Sequence, residues 1–135
     1  MILGEVHVRA DGDQIHFMMQ HTTGIELYGI LFDQLLGRTI DIMCYQPYHG
    51  ASIRFLTPPP RYVTDICGWE AVISDPSCLL VELKLKVGDY IGPLYSSSDR
   101  IGFIVARGAT TQEAIRNAEC LAARVQIHVQ EERVN

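Results

Sequence analysis

Apolar and polar positions follow two different periods along the chain, and together they predict an α+β protein. A period of about 3.6 residues marks residues 23–37 and 110–127 as helices. The second helix is expected to bury an apolar stripe formed by Ala114, Ile115, Ala118, Leu121, Ala122 and Val125. Strict alternation over residues 79–87 predicts a strand with one face in water, and the apolar run 101–106 predicts a buried strand. We expect antiparallel sheets, with the two main helices packed on one face.

Both predicted helices have a start signal. Thr23 is followed three residues later by Glu26, and Thr110 is followed by Glu113. In such a capping box, the hydroxyl and the carboxylate satisfy backbone N–H groups of the first turn. Gly37 is expected to end the first helix, because glycine accepts the left-handed backbone found after a helix.

The amino-terminal pattern predicts a hairpin. Residues 3–10 and 14–20 are β-prone and flank Asp11-Gly12-Asp13, and an Asp-Gly turn between two such runs is a strong hairpin signal. Further along, residues 51–56 and 62–66 read as strands separated by three prolines, and a short helix or turn is expected near Trp69. Residues 39–50 are compatible with a strand followed by a loop.

Composition narrows the class of protein. A chain of 135 residues with 47% apolar and 20% charged residues suits one globular domain. The net charge of −5 disfavours nucleic acid and anionic membranes as partners. No apolar run is long enough for a membrane span, and the amino terminus lacks the features of a signal peptide, so a cytoplasmic location is expected.

The spacing of the four cysteines in the sequence is not that of a metal site. Cys44, Cys67, Cys78 and Cys120 form no CxxC pair. We therefore expect reduced and mostly buried thiols, with no metal site and no disulfide framework.

Three stretches of the sequence resemble the carboxy-terminal lobe of ATP-grasp ligases, particularly the amino-acid ligase and biotin carboxylase branches. They are residues 4–20, residues 23–37, and residues 53 to the end of the last helix, of which SSSDRIGFIVARGATTQEAIRNA is the most specific part. The resemblance implies a single domain over residues 1–135. Residues 1–50 would be the hairpin and helix of the metal-loop region, and residues 51–135 the terminal antiparallel subdomain.

The sequence departs from this family where magnesium would bind. The resemblance implies an acidic residue at the end of each of the first two strands, but this chain has His7-Val8-Arg9 and Met18-Met19-Gln20 there. Magnesium prefers carboxylate oxygens, which a guanidinium and two thioethers do not supply. We therefore expect a domain that does not hydrolyse ATP by itself and needs no cofactor.

Polar side chains at those positions suggest a pocket for a small anionic ligand. On a hairpin, Arg9 would lie opposite His16, and the guanidinium fork of arginine suits a carboxylate. Arg9, His16 and His21 are also the candidates for catalysis. The alternative is that His7 and His16 are ordinary strand residues whose hydrogen-bond partners are solvent or backbone groups. The full set of candidate ligand-binding residues is His7, Arg9, His16, Gln20, His21 and Tyr45.

Three functions remain open at this point. The first is a small-molecule-binding or dimerising module in metabolism, with a homodimer as the expected assembly. The second is a repurposed isomerase, cyclase or hydrolase that acts on a small metabolite of a biosynthetic pathway. The third is one half of a split carboxylate-amine ligase whose nucleotide-binding domains lie on a separate chain.

Overall fold

The computed structural model describes residues 12–40 and 46–131. The chain divides into two compact units, residues 1–49 (unit 1) and residues 50–135 (unit 2). The described part of unit 1 is helical, whereas unit 2 holds antiparallel sheets and two helices. The predicted α+β class with antiparallel sheets is therefore confirmed. The organisation as a single domain remains a prediction.

Unit 1 contains helix α1 (Ile15–Thr23) and helix α2 (Leu27–Leu35). The predicted strand over residues 14–20 is wrong, because these residues lead into and form α1. Asp13 and Gln14 have φ values of 55° and 60°, and the N–H of Ile15 donates to the carbonyl of Gly12 at 3.2 Å. The turn thus continues into a helix and does not reverse into a second strand. Residues 3–10, the other predicted strand, lie outside the described residues.

The predicted capping box at Thr23 is also wrong. Thr23 is the last residue of α1, and its hydroxyl donates to the carbonyl of Met19 at 2.7 Å. Helix α2 begins four residues later, and no side chain caps its first turn. The periodicity was therefore sufficient to identify the helix but not its first residue.

The end of α2 agrees with the prediction. Gly37 has a φ of 70°, and its N–H donates to the carbonyl of Gln34 at 3.1 Å. The N–H of Arg38 donates to the carbonyl of Asp33 at 2.9 Å. These two hydrogen bonds form a Schellman motif, which satisfies carbonyls that the helix leaves open.

Unit 2 is built from five strands and two helices. A three-stranded antiparallel sheet has the order β1-β4-β3, and β2 pairs with β5 in a separate antiparallel ribbon. Helix α4 packs against β1 and β4. The elements are β1 (Gly50–Phe55), β2 (Tyr62–Cys67), α3 (Trp69–Ile73), β3 (Cys78–Leu83), β4 (Gly102–Gly108), α4 (Thr111–Arg124) and β5 (Gln126–Gln130).

The core of unit 2 lies between α4 and the three-stranded sheet. Ala118 and Leu121 of α4 pack with Ile104 and Ala106 of β4, and all four are essentially inaccessible to solvent. This confirms the predicted apolar stripe of the last helix. Thr110 also caps α4 as predicted, since its hydroxyl accepts from the N–H of Glu113 at 3.2 Å.

Two predicted boundaries in unit 2 are wrong. Strand β3 ends at Leu83, not at residue 87, because its partner β4 begins at Gly102, opposite Leu83. Helix α4 ends at Arg124, and the following residues form β5, whereas the helix was expected to reach Ile127. Among the described residues, no helix combines the length and the apolar character needed to cross a bilayer.

Candidate functional site

The predicted ligand-binding residues are described in part. His16, Gln20 and His21 lie on α1, while His7, Arg9 and Tyr45 lie outside the described residues. His16 and Gln20 are one helical turn apart and therefore share a face of α1. The cross-strand pairing of Arg9 with His16 rested on a strand that is in fact helix α1, so that geometric argument is wrong.

The ring of His16 packs against α2. It meets the ring of Tyr28 edge-on, with the ring centroids 5.1 Å apart. The Nδ1 atom of His16 is buried and has no hydrogen-bond partner among the described residues. A buried polar atom in this state costs free energy.

His21 faces a different neighbour. Its ring stacks on the ring of His49, with centroids 5.9 Å apart. The adjacent Tyr48 fixes this arrangement, because its hydroxyl donates to the carbonyl of Thr23 at 2.5 Å and its N–H donates to the carbonyl of Thr22 at 2.9 Å. The structure therefore gives the rings of His16 and His21 different aromatic neighbours, Tyr28 and His49.

Gly24 makes the approach of Tyr48 possible. It follows α1 with a φ of 75°, and a Cβ atom at this position would collide with the Tyr48 hydroxyl. A side chain at residue 24 would be both strained and in the way of the tyrosine.

Helix α2 presents an apolar stripe to solvent, which we call the α2 stripe: Tyr28, Phe32, Leu35 and Leu36. The last three are 62%, 74% and 67% exposed. The spacing of i, i+4, i+7 and i+8 places the four side chains on one face. Neither α1 nor α2 contains a fully buried residue. The described part of unit 1 thus exposes the kind of surface that usually lies in an interface.

In unit 2, three potential metal ligands lie together on the β2–β5 ribbon, a group that the sequence interpretation missed. The ligand atoms of Asp65, Cys67 and His128 all lie within 4.8 Å of one another, and all three side chains are exposed. Cys120 is exposed as well and Cys78 is half-buried, so the expectation of mostly buried thiols is wrong for the described cysteines.

The thiol and the carboxylate of this group influence each other. Cys67 Sγ donates to Asp65 Oδ2 at 3.0 Å. This hydrogen bond raises the pKa of the Cys67 thiol and lowers the pKa of the Asp65 carboxyl, which the N–H of Ile66 and the charge of His128 lower further. A protonated thiol beside a carboxylate is a poor nucleophile but can become a metal ligand by losing its proton.

A cavity of about 270 Å³ lies beside the proline triplet, lined mainly by apolar groups and by Asp99. The Asp99 carboxylate is already engaged, because Oδ2 accepts from the N–H groups of Ser96 and Tyr95 at 2.7 and 3.0 Å. These hydrogen bonds lower the pKa of Asp99, and the one from Ser96 has the largest effect. The Asp99 carboxylate therefore stabilises the polar turn of residues 96–100.

Comparisons with known proteins agree on the scaffold. Residues 54–130 match the family model described as L-amino acid ligase C-terminal domain 2. The fold is similar to the crystal structure of an L-amino acid ligase from Bacillus licheniformis, with a TM-score of 0.72, 19% identity and coverage of 89% of this chain. It is also similar to phosphoribosylglycinamide synthetase from Anaerococcus prevotii, with a TM-score of 0.67, 15% identity and coverage of 87%.

The chain spans about a third of the length of these solved proteins, 32% and 31% respectively. No curated protein matches the sequence. At these identities the two structures establish the fold, and the resemblance to the carboxy-terminal lobe of ATP-grasp ligases is confirmed.

Proposed function

The chain belongs to the L-amino acid ligase C-terminal domain 2 family, and we propose that it acts as an assembly module that pairs with a second copy of itself. In this proposal the chain does not hydrolyse ATP on its own. The observation that carries it is the α2 stripe, whose Phe32, Leu35 and Leu36 side chains are each more than 60% exposed.

The geometry of the α2 stripe suits a helix partner. Tyr28, Phe32 and Leu35 follow the i, i+4, i+7 pattern in which apolar side chains of one helix interlock with those of another. Helix α2 has nine residues, so the stripe is short, and an isolated helix of this length is marginal in water. Burial against a partner would stabilise both the helix and the interface.

The charges beside the α2 stripe permit an identical copy as the partner, although the net charge of the chain does not favour it. Each chain has a net charge of −5, which opposes self-association through general repulsion. Asp33 stands next to the stripe, but its carboxylate is paired with Arg38 at 2.7 Å. Two α2 stripes can therefore meet without an uncompensated carboxylate at residue 33. Two-fold pairing of the same surface is also the commonest form of homo-oligomer.

The side chains of α1 support the absence of autonomous nucleotide hydrolysis. The resemblance to ATP-grasp ligases implies an acid at the end of a second strand, but residues 14–20 lead into and form α1, and this helix, which includes Met18, Met19 and Gln20, contains no Asp or Glu. Thioether and amide groups are poor substitutes for a carboxylate in neutralising the charge on transferred phosphates. A chain with these residues suits an accessory role better than a catalytic one.

Small-molecule binding in unit 1 is the second candidate function, and one observation favours it. The buried Nδ1 of His16, which lacks a hydrogen-bond partner among the described residues, could contact a polar ligand beside Gln20. The repurposed-enzyme alternative gains less support, because the rings of His16 and His21 have different aromatic neighbours, Tyr28 and His49. Native mass spectrometry after incubation with cell extract would detect a retained ligand, and loss of that ligand in His16→Ala would assign it to this residue.

The pairing proposal is tested with two substitutions on α2 that make the same charge change. Leu35→Glu places a carboxylate in the α2 stripe, and Gln34→Glu places one on the opposite side of the helix. Burial of a charge in an apolar interface is unfavourable by several kcal/mol, so Leu35→Glu should weaken dimerisation at least 100-fold. Gln34→Glu should have less than about a tenfold effect. Equal dissociation constants for the two variants in sedimentation experiments would refute the assignment of the interface to this stripe.

A further inference from the structure

Two neighbouring strands of unit 2 bring together three side chains of different chemistry. Asp65 and Cys67 are two residues apart on β2 and therefore point to the same face of the ribbon. His128 lies opposite Asp65 on β5. This face is directed towards solvent, whereas Ile66, Ile127 and Val129 on the other face are less exposed. The three ligand atoms lie within 4.8 Å of one another.

A β-bulge creates this juxtaposition. Val63 pairs with Val129, but the next paired residues are Asp65 and His128, so Thr64 is an extra residue on β2. Without the bulge, Asp65 would stand opposite Ile127, and the carboxylate and the imidazole would not be directly paired. Bulges re-aim side chains in this way and are frequent next to functional sites.

The carboxylate is held in a defined orientation. Asp65 Oδ1 accepts from the N–H of Ile66 at 2.9 Å, which leaves Oδ2 directed at the thiol of Cys67. The thiol proton lies between Sγ and Oδ2, which are 3.0 Å apart. A cation that took the place of this proton would have a thiolate and a carboxylate oxygen as its first two ligands.

We propose that Asp65, Cys67 and His128 form a binding site for a zinc ion, with its fourth coordination position open to water or to an anionic ligand. Zinc binds thiolate, imidazole and carboxylate in tetrahedral sites, and a site with three protein ligands keeps one position open. Magnesium and calcium prefer oxygen ligands, so the sulfur and nitrogen atoms favour zinc over both.

The site can reach zinc geometry with small movements. Zinc–sulfur and zinc–oxygen bonds of about 2.3 and 2.1 Å place the two ligand atoms roughly 3.5 Å apart in a tetrahedron. Cys67 Sγ and Asp65 Oδ2 would therefore separate by about half an ångström from their hydrogen-bonded distance of 3.0 Å. Exposed side chains can make that adjustment by rotation. Binding releases one proton to solvent, because the thiol becomes a thiolate.

Zinc bound here would crosslink the two strands of the ribbon. Antiparallel pairs without a third strand are marginally stable by themselves. Because β5 pairs with β2 and follows α4, a metal ion bound by both strands would hold β5 in place. We therefore expect zinc to raise the melting temperature of unit 2, by at least about 5 °C at saturating metal.

The test uses the reduced chain of 135 residues and metal ions alone. Cobalt(II) is the spectroscopic probe, since a thiolate ligand gives it a charge-transfer band, and zinc stoichiometry is measured by equilibrium dialysis. We expect one zinc per chain, displacement of cobalt by zinc, and release of one proton per ion. Trp69 is the single tryptophan of the chain and lies two residues from Cys67, so its fluorescence also reports cobalt binding.

Substitutions decide whether Cys67 and His128 are ligands. Cys67→Ser and His128→Gln should each lower zinc affinity at least 100-fold, while Cys120→Ser, which changes another exposed cysteine, should leave it unchanged. The charge-transfer band should vanish in Cys67→Ser and persist in His128→Gln. Circular dichroism checks that both variants fold, and because all three ligands are exposed, they are expected to do so.

Wild-type zinc affinity in both Cys67→Ser and His128→Gln would overturn the proposal, as would loss of the cobalt band in Cys120→Ser. A stoichiometry near zero for the unmodified chain would overturn it as well. These outcomes do not bear on pairing through the α2 stripe, which belongs to unit 1.

Discussion

Arg124 Nη1 donates to Asp75 Oδ2 at 2.6 Å and thereby connects the last residue of α4 to the turn that follows α3. The other carboxylate oxygen of Asp75 accepts from the hydroxyl and the N–H of Ser77 at 2.6 and 2.9 Å. One carboxylate thus organises its own turn and ties it to the helix that covers the sheet.

These contacts make the stability of unit 2 depend on pH. The hydrogen bonds from Ser77, followed by that from Arg124, lower the pKa of Asp75 from 3.8 to about 2. A depressed carboxyl pKa stabilises the fold above the unfolded value, and the contribution is lost as pH falls from about 4 through 2. Asp75→Asn should therefore lower stability at pH 7 and flatten its pH dependence in this window, as measured by urea unfolding.

Glu119→Gln removes a carboxylate from the exposed part of α4 and serves as the control. Its unfolding curve at pH 7 should coincide with that of the unmodified chain within about 0.5 kcal/mol. If Asp75→Asn behaved like this control at every pH between 2 and 7, the assigned role of Asp75 would be wrong.

Gly68 is the second point at which α3 meets the end of α4. It precedes α3 with a φ of 80°, and a Cβ atom there would collide with the carbonyl oxygen of Arg124. Gly68→Ala should therefore lower the free energy of unfolding by about 3 kcal/mol or more. This loss combines the steric clash with the cost of a left-handed backbone at a residue that has a Cβ atom.

Gly88 supplies a matched comparison. It has a φ of 93°, but a Cβ atom would meet no atom within 4 Å beyond Gly88 itself and its two chain neighbours. Gly88→Ala should therefore show the backbone cost alone, about 1–2 kcal/mol. Trp69 fluorescence in urea measures both variants, and similar losses of stability would contradict the proposed clash at Gly68.

The start of α4 gives a third prediction. The hydroxyl of Thr110 accepts from the N–H of Glu113, while the carboxylate of Glu113 accepts from the N–H of Ala109 at 2.8 Å. Removing the cap hydroxyl in Thr110→Ala should cost about 1 kcal/mol. Thr111→Ala changes an exposed residue of the same type one position later and should cost less than half of that. The opposite ranking in thermal unfolding would show that Thr110 is not the cap.

The parts of the fold that the sequence predicted best are those with independent local signals. Helix α4 had a cap, an apolar stripe and no competing pattern, and its buried residues Ala114, Ala118 and Leu121 were all predicted. The end of α2 was predicted because Gly37 takes the left-handed conformation that a Schellman motif requires.

The errors arose where a short apolar run fits two periods. Residues 14–20 are compatible with a strand or with a helix, and the Asp-Gly signal favoured the hairpin although the positive φ values belong to Asp13 and Gln14. Residues 126–130 alternate polar and apolar, which is a strand pattern, but they follow α4 with only Val125 between them. The periodic helix before them obscured the alternation.

The group of metal ligands was not predictable from spacing. Asp65 and Cys67 are two residues apart, but His128 lies 61 residues beyond Cys67 in the chain. Only the pairing of β2 with β5, and the bulge at Thr64, place the imidazole beside the other two groups. Pairing between distant strands depends on tertiary structure, for which local patterns carry little information.

The molar mass of the unmodified chain in solution tests the central proposal most directly. Light scattering on the eluting peak of a size-exclusion column, at micromolar concentrations, should give about twice the 15.1 kDa of one chain. A molar mass of one chain at all concentrations up to about 100 μM would contradict pairing through the α2 stripe. It would mean that dimerisation is weaker than is expected of a specific interface.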